Sequence, residues 1–196
     1  MSRKPQQLPF DLLDEGLKAA ARSCDERPEL EGRSYLNEAW VQSFVAFGLN
    51  DFLRQRYETD NEYITFETNV AWLDAIYGVE GVDTSVKQLT PKKRFDLCVW
   101  SKGMKIWGLV EIKNQPSAHH WSYKGDLLKL SWALHRWQGL RWGLFLYGMP
   151  PGRLERANEI RQACKDLLRD FRVTSFAPRQ ADHSTWVGFL VRRQID

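Results

Sequence analysis

The chain has 196 residues, 43% hydrophobic and 27% charged, the profile of a soluble globular protein long enough to bury a real core. Its formal net charge of +3 is only mildly basic, which permits a nucleic-acid partner without demanding one. No apolar run approaches the ~20 residues needed to cross a bilayer, and the opening MSRKPQQLPFDLLDEGLK lacks the apolar stretch of a secretory signal.

Three widely spaced cysteines, Cys24, Cys98 and Cys164, suggest neither a disulfide framework nor a zinc site, so a reducing cytoplasm is the expected compartment. Tryptophans spread from Trp40 to Trp186 predict order along most of the length.

In chain order, FDLLDEGLKAAARSC predicts a helix and DERPELEGR a polar loop; residues 1–33 read as an N-terminal helical extension and 34–196 as the domain. SYLNEAWVQSFVAFGLNDFLRQRY predicts a second helix, with Ser34 as N-cap and Asn37 or Glu38 in its first turn. Leu36, Trp40, Ser43, Phe44 and Phe47 form one stripe, and Val41, Val45 and Leu49 another. A helix apolar on two sides is expected to be buried. YITFETNVAWL reads as a first strand. The loop YGVEGVDTSVKQLTPKK leads to a second, RFDLCVW, where Cys98 reads as core, and after the turn SKGMK comes a third, IWGLVEIK.

NQPSAHHWSYKG reads as a loop and DLLKLSWALHRWQGL as a helix capped by Asp126. Leu128, Trp132 and Trp137 have helical spacing and read as core rather than base-stacking groups. RWGLFLYGM predicts a fourth strand, broken by Pro150, Pro151 and Gly152 before the helix RLERANEIRQACKDLLRDF, whose mixed charges read as a solvated face. RVTSFA and TWVGFLVRR predict closing strands. The order implies an α/β fold with a mixed sheet covered by helices.

Charged residues inside two of these apolar strands carry the chemistry. Strand alternation puts Asp96, Cys98 and Trp100 on one face of the second strand. It puts Trp107, Leu109, Glu111 and Lys113 on one face of the third, with Ile106, Gly108, Val110 and Ile112 behind. If residues 102–105 form a four-residue loop, Ser101 pairs with Ile106 and Asp96 falls opposite Glu111. Opposed residues share a face with Cβ atoms about 5 Å apart. Carboxylates that close repel each other unless a positive charge intervenes. Mg²⁺ or Mn²⁺ is the natural one, being a hard cation that takes carboxylates plus waters. Lys113 beside it would orient a water or steady developing charge. The set reads as a site for metal-assisted attack on a phosphodiester.

RFD at 94–96 followed by VEIK at 110–113 resembles the PD-(D/E)XK nuclease superfamily, the restriction-endonuclease-like fold. The match covers roughly residues 34–148. Phe95 stands where the motif has proline. The resemblance implies a Mg²⁺- or Mn²⁺-dependent deoxyribonuclease, an endonuclease leaving 5′-phosphates, that often works as a homodimer. Asp96, Glu111 and the Ile112 carbonyl would hold the metal, and Lys113 would position the attacking water. Glu38 fits the supporting acid of the family's first helix, and Gln115 the polar residue beside the lysine. Glu67 could be an extra ligand, although a solvated strand face is the plainer reading. The adjacent histidines of HHW at 119–121 lack partners for a zinc site.

Lys93 and Arg94, with Lys92, precede Asp96 and could guide a DNA backbone. Lys124 and Lys129 lie where a helix start could meet phosphates. The alternative is a catalytically silent nucleic-acid-binding or protein-interaction module of the same fold, against which the intact Asp, Glu and Lys set argues.

Overall fold

The computed structural model describes residues 8–26, 38–57, 63–78, 93–101, 105–114, 123–181 and 184–194. The chain runs α1 (Leu8–Asp25), α2 (Glu38–Tyr57), β1 (Tyr63–Asn69), α3 (Val70–Tyr77), β2 (Arg94–Ser101), β3 (Lys105–Asn114), α4 (Tyr123–Arg136), β4 (Trp142–Met149), α5 (Leu154–Leu167), β5 (Phe171–Ser175), β6 (Arg179–Ala181) and β7 (Ser184–Arg193). Every residue of β4 is buried, and β7 is buried up to its last two positions. Strands apolar on both faces need cover on both. Helices α1 and α2 supply it on one side, and α3, α4 and α5 on the other.

The seven strands form one mixed sheet in the order β1-β2-β3-β4-β7-β5, with β6 paired to β7. β1, β2 and β3 make an antiparallel meander. β4 then lies parallel to β3, which requires a crossover, and α4 provides it. The α/β class with a mixed sheet flanked by helices is therefore as the sequence predicts. No helix among the described residues is long and apolar enough to cross a membrane.

Several expectations are corrected. The helix expected in an extension over 1–33 belongs to the core: Leu12, Leu13 and Leu17 are fully buried against α2 and the sheet. In α2, Val41, Val45 and Leu49 are buried as expected, but Phe47 is 67% exposed and Trp40 36%. The helix lies in an outer layer, so only the stripe turned to α1 and the sheet is covered. Trp40 keeps its indole N–H satisfied by donating to the Ser23 carbonyl at 3.1 Å. Ser34, Leu36 and Asn37 lie outside the described residues.

The strand expected over 63–73 stops at Asn69 and turns into α3. Asn69 Oδ1 accepts the Trp72 N–H at 2.8 Å, an N-cap, and Gly78 at φ 64° closes the helix in a left-handed conformation suited to glycine. Asx capping at Asn69 decides against the β-prone run that follows it. α4 begins at Tyr123, so Asp126 sits inside the first turn rather than at the cap. Of its expected core residues, Trp137 is buried, whereas Leu128 and Trp132 are half-buried at the margin. Asp74 ties α3 to this helix, accepting from Arg136 at 2.7 and 2.9 Å and from the Trp137 indole at 2.9 Å. Cys98 lies in the core.

Candidate active site

The site forms where β2 and β3 part. Their ladder runs from Ser101–Lys105 to Leu97–Val110 and stops there. Beyond it, β2 stays paired with β1 down to Arg94, and β3 stays paired with β4 up to Asn114. Asp96 and Glu111, the next rung after Leu97–Val110, face each other across this fork. Asp96 Oδ2 accepts the Ile112 N–H at 2.6 Å, in place of the backbone carbonyl that a continuing ladder would offer.

The expected register reaches this rung by a different route. Ser101 pairs with Lys105, not Ile106, and an extra β3 residue, Trp107, set against the step from Val99 to Trp100 in β2, restores the count. The extra β3 residue switches faces below it. Ile106 therefore joins Leu109 on the α4 side, and Trp107 packs with Val110 and Ile112 on the α2 side, opposite to simple alternation. A second irregularity adjoins Asp96. Glu67 of β1 has φ 45°, and Thr65 and Thr68 on either side of it touch at 2.9 Å. Phe95, which unbroken alternation would put on the face of Leu97 and Val99, packs instead against Trp137 on the α4 side, ring centroids 5.8 Å apart.

The two carboxylates are strongly perturbed. Burial pushes Asp96 up to about 6, opposed by the Ile112 N–H and the nearby Lys129 charge. Glu111 is only 2% exposed, and burial followed by the Asp96 charge raises its pKa well above the usual carboxylate range. Its Oε2 is 2.6 Å from the Lys129 ammonium, whereas its Oε1 is buried with no hydrogen-bond partner among the described residues. A buried acceptor left half satisfied is an energetic liability in a finished core and an asset in a binding site.

The expected lysine and helix acid meet here too. Lys113 Nζ lies 3.6 Å from Glu38 Oε2, which brings α2 to the open end of the fork. Asp126 of α4 approaches from the opposite side of the sheet. Its pKa is raised by burial, against the pull of the Lys129, Lys113 and Lys93 charges. Asp126 is the site residue that the sequence reading missed. The signal available was its spacing of three from Lys129 on one helix face.

Lys129 itself lies elsewhere than a phosphate-facing lysine would. Its side chain is 12% exposed, its ammonium donates to the Arg94 carbonyl at 2.8 Å, and it lies over the Phe95 ring. Arg94 pairs with Glu67 at 2.7 Å in the open, so Glu67 turns away from the acids. Lys93 is exposed beside the fork and Lys124 is half-buried in the first turn of α4. Gln115, Lys92 and the HHW segment lie outside the described residues.

The described residues hold no group of three or more His, Cys, Asp or Glu side chains gathered tightly enough for a metal ion. A buried Glu111 with one orphaned oxygen beside a half-buried Asp96 nevertheless suits a hard cation that keeps several waters.

Comparison with known proteins assigns no family. No family model, curated protein or solved structure matches the chain.

Proposed function

We propose that this protein is a metal-dependent nuclease acting on DNA, with a restriction-endonuclease-like fold. The observation that carries the reading is the fork: two perturbed carboxylates from neighbouring strands, Glu111 buried and Asp96 half-buried, meet there beside a lysine. The order α2, β1, β2, β3, α4, β4 supports it, being the family's helix, three strands, helix and fourth strand with α3 inserted.

Asp96 and Glu111 would hold Mg²⁺ or Mn²⁺, with Glu38 and the Ile112 carbonyl completing the set. The cation supplies a Lewis acid and a lowered water pKa when bound. Ile112 N–H fixes one oxygen of Asp96, so the carboxylate is held in place before any ligand arrives. Lys113, steered by Glu38, orients the attacking water and balances charge on the phosphate. Lys93 and Lys124 flank the opening and suit backbone phosphates. Two such sites in a homodimer would cut both strands and leave 5′-phosphates.

The Glu111–Lys129 pair favours a second reading, a module of the same fold that binds nucleic acid or protein without turnover. Incubation with plasmid and with single-stranded DNA, in Mg²⁺, Mn²⁺ or EDTA, separates the two. Metal-dependent cleavage lost in Asp96→Ala and in Lys113→Ala is expected. Cleavage that survives both substitutions would discard the site, and a mobility shift without cleavage would select the silent module.

A further inference from the structure

The Lys129 ammonium is a cation already installed in the acid pocket, and its surroundings indicate that it can be exchanged. It neutralises Glu111 through one oxygen only and leaves the other without a partner among the described residues. Asp126 Oδ1 stands 3.9 Å from the same ammonium, one turn back on α4, so a second acid is within reach of a small rotation. Where it stands, the ammonium also donates to the Arg94 carbonyl at 2.8 Å and lies over the Phe95 ring. The charge count points the same way. When ionised, Asp96, Glu111, Asp126 and Glu38 outnumber the nearby ammonium groups of Lys129, Lys113 and Lys93, so the pocket keeps a net negative charge that favours a cation.

We infer that Lys129 is the resident counter-ion of the acid pocket: it holds Glu111 until a divalent cation displaces it, and then passes to Asp126. This rests on the cation site proposed at Asp96 and Glu111, and it adds a residue that competes with the metal rather than ligating it. Lys129 is thus a positioning residue. It keeps the pocket folded without metal and sets how much cation is needed to load it.

The test titrates the full chain with Mn²⁺ alone in mildly alkaline buffer, reading free Mn²⁺ by its paramagnetic resonance. Lys129→Met keeps the stem and removes the charge; Lys129→Gln also keeps a hydrogen-bond donor. Both are expected to bind Mn²⁺ about tenfold or more tightly than wild type, because a like charge a few ångströms away is gone. The gain should vanish when Glu111→Gln is added. Unchanged or weaker binding in both variants overturns the inference.

If a variant needs metal to fold, Mn²⁺ should restore its circular dichroism, and failure to restore it counts equally against the inference. Failure of the exchange and failure of the nuclease reading look different. Wild-type cleavage with unaltered variant affinity removes only the exchange. Tighter Mn²⁺ binding in variants of a protein that never cuts DNA removes only the nuclease.

Discussion

Replacing Asp96 with asparagine should stabilise the metal-free protein while abolishing cleavage. Asp96 sits half-buried at the fork where ionisation is unfavourable, its pKa raised from 3.8 to about 6. A rise of that size is worth roughly 3 kcal/mol of stability forgone once the carboxyl is ionised. The Ile112 N–H bond to the ionised carboxylate is already included in that rise, and asparagine keeps an oxygen to accept it. The gain is therefore about 3 kcal/mol, or a rise of roughly 6–12 °C in Tm for a chain of this size.

The gain must also depend on pH in a particular way. The unfolded chain releases the Asp96 proton near 3.8, whereas the folded chain keeps it to about 6. Across that interval the folded state binds more protons, so wild-type stability falls as pH rises. The advantage of Asp96→Asn should therefore be near zero in acid below this interval and complete above it. Urea denaturation in EDTA at a series of pH values measures it directly. An asparagine variant less stable than wild type, or a difference that stays flat with pH, would refute the reasoning.

Lys113→Ala should lower cleavage by about 10²-fold or more, as loss of a charge-stabilising donor does, while changing urea stability by less than ~1 kcal/mol because its ion pair with Glu38 is long and partly exposed. A larger stability loss would make Lys113 a structural residue. Leu17→Ala should cost ~2–5 kcal/mol in the same denaturation assay, as expected for a fully buried leucine. A value near zero would restore α1 to the status of an appendage. Asp74→Asn should cost ~3 kcal/mol, since it leaves Arg136 without its bidentate anion in a poorly hydrated place. Thermal melts of Arg136→Met should then show a smaller loss than those of Asp74→Asn.

The legible parts of this fold are those written in short-range pattern. The apolar runs of β2, β3 and β4 announce strands covered on both faces, and Asp96 and Glu111 stand out because each is the one acid in its run. Counting residues across the connection brings Asp96 to Glu111, although the true connection is one residue shorter and the bulge makes up the difference. α3 was equally present in the sequence, in Asn69 and Gly78, but β-prone side chains hid the caps. The exposed stripe of α2 was illegible for another reason. Periodicity marks which residues are apolar and says nothing about whether a neighbour covers them.

The local order of elements, and the presence of two acids and a lysine at strand spacing, were determined by the sequence alone, because strand pleat and hydrophobic period act over a few residues. Tertiary structure decided the rest. Where β2 and β3 part depends on what each pairs with on its other side. Whether Lys129 meets solvent or Glu111 depends on how α4 lies across the sheet, a contact between residues eighteen positions apart that no local period encodes.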